Sequence, residues 1–213
     1  PPQPQPPPPP TPPHFPYTTL FRSAEDLLPV VQVQDTHGNL VSTGIDATAD
    51  ISLTIQSGTG TLSGTATRKA VAGVATWVGG DDLAIDLIGF KTLQAEKENI
   101  GVGTLSANSA NFEIVHGVAS QLSFNTQPAN PTTAGVDLLP VVEIQDTLGN
   151  VITSGRDATA DITLNLQTGT GTLAGTNTRA AVGGVATWVD GDNLNIDLIG
   201  DKTLRASKED SSG

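Results

Sequence analysis

The chain contains no cysteine. That removes disulfides, thiolate catalysis and cysteine-ligated zinc. It leaves an extracellular location open, because a domain with enough core folds without staples. Methionine is absent too, so the chain reads as a fragment of a longer protein. Aromatic residues make up 4% of the total, so a core must come mainly from Val, Ile, Leu and Ala. Basic residues are scarce: 10 Lys and Arg stand against 22 Asp and Glu, a formal net charge of −12. Without a basic patch to neutralise phosphates, nucleic acid is excluded as a partner, and anionic membrane surfaces with it. No apolar run approaches the roughly 20 residues of a membrane span, so no membrane insertion is expected within this stretch. No signal peptide is visible. The acidity reads as solubility and self-repulsion.

What is present is a repeat. Asp26-Leu-Leu-Pro-Val-Val-Gln-Val-Gln-Asp35 returns as Asp137-Leu-Leu-Pro-Val-Val-Glu-Ile-Gln-Asp146. The offset is 111 residues and holds without a gap from Asp26/Asp137 to Ala95/Ala206, with 49 identities over 70 positions. A period this long is not a solenoid repeat but a tandem array of whole domains. The spacing predicts a segment 1–23 and two repeats, 24–116 and 117–213.

Within each repeat the apolar residues alternate. Val31 and Val33, then Ile51, Leu53 and Ile55, read as half-buried strands, as do Val142, Ile144, Ile162, Leu164 and Leu166. Asp35-Thr-His-Gly-Asn39 and Asp146-Thr-Leu-Gly-Asn150 read as tight turns. Leu62 marks a very short strand. Ala75 and Trp77, with Ala186 and Trp188, share one strand face and read as buried equivalents. Leu83 and Ile85, then Gly89–Ala95, follow. The first repeat continues through a Gly/Ser/Asn-rich hairpin to Asn111–Val115. His116–Ala119 then lead into Gln121-Leu-Ser-Phe124. No stretch carries a helical stripe. About seven short strands per repeat, with turn signals every 8–12 residues, predict an all-β chain of two β-sandwiches.

Residues 1–23 differ from the rest. Eleven of the first sixteen are Pro, which on composition alone is a polyproline II linker or a ligand for an aromatic groove. Phe15-Pro-Tyr-Thr-Thr-Leu-Phe-Arg-Ser23 resembles a translated short-read sequencing adapter. The segment is therefore expected to be non-native and disordered, with Leu20 and Phe21 outside the core.

No catalytic set emerges. His14, His37 and His116 have no counterpart in the other repeat, and an enzyme is not expected. The carboxylate pairs Asp46/Asp157, Asp50/Asp161, Asp81/Asp192 and Asp86/Asp197 are shared by both repeats. Asp190, Asp192 and Asp197 form the densest cluster and are the calcium candidate, since calcium favours oxygen ligands grouped on loops. Leu194 sits where an EF-hand ligand belongs, and Gly79 replaces Asp190 in the first repeat. The competing reading is solvated turns that keep edge strands soluble. Lys91 and Lys202, two residues before inward-facing Leu93 and Leu204, point inward by alternation. They either snorkel to water or pair with an Asp.

Leu122-x-Phe124-x-x-Gln127-Pro128, Pro-Val-Val-x-x-Gln-Asp-x-x-Gly-Asn, Gly-Thr-Leu-x-Gly-Thr and Gly-Val-Ala-Thr-Trp together resemble bacterial immunoglobulin-like repeats. These are the tandem modules of invasin- and intimin-type surface proteins. The resemblance covers residues 24–213 and implies immunoglobulin-like sandwiches and an extracellular or cell-surface location. Lys91 and Lys202 stand where that family usually has Tyr, so the tyrosine-corner hydrogen bond is absent or replaced. The implied function is a structural spacer or stalk segment of a bacterial adhesin-like protein, with neighbouring repeats as partners. The alternative is a binding module whose end loops recognise carbohydrate or a host protein. Repeat one lacks the counterpart of Gln121–Phe124, and repeat two lacks that of Phe112–Ile114. Each sandwich is thus expected to miss a different edge strand, and uncovered edges favour self-association.

Overall fold

The computed structural model describes residues 21–101 and 103–208. The chain divides into two compact units, residues 1–115 and 116–213. Both are all-β, with one short 3-10 turn each, at Asp46–Thr48 and Arg156–Thr159.

The first unit carries β1 (Phe21–Arg22), β2 (Val30–Gln32), β3 (Asp50–Ser57), β4 (Leu62–Ser63), β5 (Thr67–Lys69), β6 (Val74–Thr76), β7 (Ala84–Ile85), β8 (Gly89–Lys97), β9 (Leu105–Asn108) and β10 (Phe112–Val115). One sheet runs in the order β1-β10-β8-β3-β5, with β9 also on β8. β2 pairs with β6 and β4 with β7. Alternation decides which side chains meet. Ile51 and Leu53 from β3 and Leu93 and Ala95 from β8 point to one face. There they meet Val33, Ala75 and Trp77 from the other layer in a single buried cluster. This layering of sheets is consistent with a β-sandwich.

β9 and β10 follow one path beside β8. β9 pairs with its second half, Gln94↔Asn108 to Lys97↔Leu105, and β10 with its first, Phe112↔Lys91 to Ile114↔Gly89. Ser109 bridges the break. Its hydroxyl accepts from Leu93 N–H and its own N–H donates to Leu93 C=O, at 2.9 and 2.8 Å. The ladder therefore loses no partner where the strand is interrupted.

The second unit carries β11 (Gln121–Thr126), β12 (Val141–Gln145), β13 (Asp161–Thr168), β14 (Leu173–Ala174), β15 (Thr178–Ala180), β16 (Val185–Thr187), β17 (Asn195–Ile196) and β18 (Thr203–Lys208). Its sheets are β11-β12-β16, β15-β13-β18 and β14-β17. Its core repeats the first: Ile144, Ile162, Leu164, Ala186 and Trp188 are buried together. Both units share a register shift, between Ile55 and Ser57 and between Leu166 and Thr168. The next residue is Gly58 or Gly169, at φ 97° in both. A Cβ on Gly58 would lie 2.5 Å from Phe90 O and 2.7 Å from the Lys91 stem, so the close approach requires glycine.

The units differ at their edges. β11 covers β12, whereas among the described residues β2 pairs with β6 alone. β10 and β9 flank β8, whereas among the described residues β18 pairs with β13 alone. Without that flank β18 starts at Thr203, three residues later than the counterpart of Gly89.

The expectation that residues 1–23 stand outside the fold needs correction at its end. Phe21↔Ile114 and Arg22↔Val115 pair β1 with β10 in parallel, and Ser23 N–H donates to Val115 C=O at 2.8 Å. Phe21 packs on the core and meets Phe112 edge-to-face, ring centroids 5.9 Å apart. An apolar ring next to an open strand edge finds a partner whatever the origin of its codon. The Pro-rich stretch and Leu20 lie outside the described residues.

Candidate functional site

Three of the four shared carboxylate pairs are engaged by the protein itself. In the first unit, Asp81 Oδ2 accepts from Val78 N–H at 2.8 Å and from Arg68, whose guanidinium lies 2.8 Å away. Asp192 repeats this with Val189 N–H and Arg179. Asp86 Oδ1 accepts from Thr61 N–H across the fold, and Asp197 Oδ1 from Thr172 N–H, both at 2.7 Å. These bonds tie a loop to a strand far away in sequence, which explains why the residues recur.

The calcium candidate is not brought together. Asp190 is exposed, Asp192 faces Arg179, and Asp197 caps Thr172. Among the described residues no group of three or more His, Asp or Glu side chains is placed to hold a metal ion.

Two lysines point inward in the first unit. Lys91 is 1% exposed, and its ammonium donates to Ile88 C=O at 2.9 Å. Burial pulls its pKa below the ordinary 10.5, and the Asp86 carboxylate opposes that shift. Its stem lies against Gly58. Lys202 makes the same bond, to Ile199 C=O at 3.0 Å, but is only half-buried.

Sequence reasoning missed the second lysine. Lys97 Nζ lies 3.0 Å from Asp46 Oδ1 and also donates to Glu98 C=O and Ile100 C=O. Gly101 closes over Asp46 so tightly that a Cβ there would lie 2.2 Å from Oδ1. Lys208 and Asp157 pair at 2.8 Å in the second unit. The signal was available: Lys97 and Lys208 recur at the same 111-residue offset as Asp46 and Asp157.

The Asp-Gly-Asn turns are built as expected. Asp35 accepts from His37 N–H, Asn39 N–H and the Asn39 side-chain amide. The Asn39 amide, then the backbone N–H groups of Asn39 and His37, hold the Asp35 carboxyl below its ordinary pKa. Asp146 makes the same turn but is buried, and its Oδ2 also accepts from Gly117 N–H at 2.9 Å. His116 fastens the same stretch: Nδ1 donates to Gly117 C=O, and Nε2 accepts from Ser154 N–H. His37 lies in its turn beside Thr36, and His14 lies outside the described residues.

A groove of about 780 Å³ opens on the second unit. Phe124, Leu138, Ile196 and Leu204 line it, together with Gly200–Lys202 and Thr132–Ala134.

The fold and these bonds define an all-β chain in which Asp46, Asp81, Asp86 and their counterparts are bonded within its own scaffold. No protein-family model and no curated protein matches it. Among solved structures, two chains of Parabacteroides merdae β-glucuronidase are similar over 76% of this chain. One has glycerol in its active site, at 15% identity and a TM-score of 0.28; the other stands at 14% and 0.23. The matches cover 19% and 21% of those chains, so this chain spans about a fifth of their length.

Proposed function

We propose that the chain is a structural spacer: two immunoglobulin-like sandwiches in a stalk of a bacterial cell-surface or secreted adhesin-like protein, without enzymatic activity. The side-chain ties shared by both units carry the reading: Asp81 and Asp86 in the first unit, and Asp192 and Asp197 in the second, each bind a loop to the surrounding scaffold. In this chain the adapter-like residues of β1 add a second tie. β1, at the start of the first unit, pairs in parallel with β10, at its end. Tension applied at the two ends pulls β1 by its N-terminal side and β10 by its C-terminal side. Parallel neighbours pulled this way are loaded in shear, so their hydrogen bonds must yield together. The side-chain bonds support the same reading, because Asp81, Asp86 and Asp46 brace loops against strands rather than face a shared cleft. The nine-residue strand β8 spans roughly 30 Å at about 3.3 Å per residue, which is the scale of one spacer.

Pulling the chain from its ends in a single-molecule force experiment tests this. The expected trace has two unfolding steps, with the step of the first unit at the higher force. Extension without a resisted step contradicts the spacer role. Saturable binding to a glycan or host-protein array, abolished by changes in the end loops, favours the binding-module alternative instead.

A further inference from the structure

The groove on the second unit coincides with the place that β10 occupies in the first. In the first unit, Ile114 of β10 pairs with Gly89 on one side and Phe21 on the other. Adding the repeat offset turns these partners into Gly200 and Thr132, which both line the groove. The units agree at the corner that follows. Ala24 N–H donates to Ile85 C=O in the first, and Gly135 N–H to Ile196 C=O in the second.

Exposure records the difference. Ile199 is 86% exposed, whereas its counterpart Ile88 is half-buried. Leu93 and Lys91 are buried under β10 and its neighbours, and Leu204 and Lys202 are only half-buried. The second unit therefore leaves apolar side chains, Ile199 and Leu204 among them, less covered where the first unit has β10.

We propose that this groove accepts an extended peptide strand with the chemistry of β9–β10. The strand carries an aromatic side chain, then an aliphatic one two residues on, both turned to the core as Phe112 and Ile114 are. Its register follows from the first unit: the aromatic residue lies opposite Lys202, and the aliphatic one lies opposite Gly200 and beside Thr132. It runs antiparallel to residues 200–202 and parallel to residues 132–133. Main-chain bonds supply affinity and the two apolar side chains supply selectivity. This rests on the comparison of the two units, not on the spacer reading, and the two fail separately.

The test titrates a fluorescent synthetic peptide of residues 104–116 into the full chain. The expected result is saturable binding of one peptide per chain. Replacing the peptide residue that corresponds to Ile114 with Glu should weaken binding by at least about tenfold, because it puts a charge where a buried aliphatic belongs. Val136→Trp, which fills the groove from an exposed position, should weaken it while leaving the melting temperature unchanged. Amide exchange should slow at Gly200–Lys202 and Thr132–Thr133. Three outcomes overturn the proposal. One is no saturable binding, or equal binding of the Glu peptide. Another is slowed exchange at Gly89–Lys91 alone, which marks replacement of β10 in its own unit. The last is a dimer of the chain that the peptide does not dissociate, which assigns the groove to a second copy.

Discussion

The ammonium of Lys97 lies 3.0 Å from the Asp46 carboxylate, with the Lys97 side chain 2% exposed. The pair joins the end of β8 to the turn before β3, and the loop from Glu98 to Gly101 folds over it. In the second unit the equivalent side chains of Lys208 and Asp157 are 21% and 39% exposed. The same two residue types thus sit in two dielectric settings within one chain.

Removing one partner of a buried pair strands the other charge. Asp46→Ala should therefore cost about 3–5 kcal/mol. Asp157→Ala, with a more exposed pair, should cost less than about 1 kcal/mol. Urea unfolding of the full chain measures both. Equal costs would show that burial by the Glu98–Gly101 loop does not matter.

Trp77 and Trp188 are each 1% exposed, and their indole N–H groups donate to Thr65 C=O and Thr176 C=O at 2.7 and 2.8 Å. Trp188→Ala should cost about 3–5 kcal/mol, as a large-to-small core change. Emission of the folded chain should be blue-shifted and poorly quenched by iodide. Red-shifted, readily quenched emission would refute the burial of both rings.

Lys91 makes stability depend on pH in a definite direction. Its folded pKa lies below the ordinary 10.5 because burial disfavours the charge. Between the folded value and 10.5 the unfolded chain binds more protons, so the Lys91 contribution rises with pH across that window. Below the window the folded unit carries the cost of a buried ammonium. The stability of the parent relative to Lys91→Met should therefore increase from neutral pH toward 10.5. A flat or falling difference would mean that the ammonium is not desolvated.

Phe21 and Ser23 belong to the folded unit, so two truncations separate. Deletion of residues 1–20 should leave the melting temperature of the first unit unchanged. Deletion of residues 1–23 should lower it, because Ile114 and Phe112 lose the strand and ring that cover them. Identical melting of the two truncations would restore the whole segment to the non-native class.

The sandwich-forming positions were legible because β-structure writes itself at period two. Ile51 and Leu53, and Ala75 and Trp77, alternate in sequence and are buried together in the fold. Lys91 was placed inward by the same rule. β9 was read only as part of a hairpin, because Leu105–Asn108 is exposed throughout and carries no alternation. The Lys97–Asp46 pair joins residues 51 apart, a distance at which no local pattern speaks. Phe21 was set aside for what its codons resemble, whereas packing depends only on its ring. The groove was legible only as a missing strand. The residues that line it, Thr132–Ala134 and Gly200–Lys202 among them, come together only in space.

The most direct test of the spacer account pulls the first unit in two geometries. The chain has no cysteine, so engineered thiols define the attachment points. One handle stays before β1, and the other is placed at His116 or at Asn111. With the handle at His116, force loads the β1–β10 pair in shear; with the handle at Asn111, it peels the same pair open from one end. The account predicts a clearly higher unfolding force for the His116 handle. Equal forces, or a higher force for the Asn111 handle, would contradict a unit built to carry tension through its first and last strands.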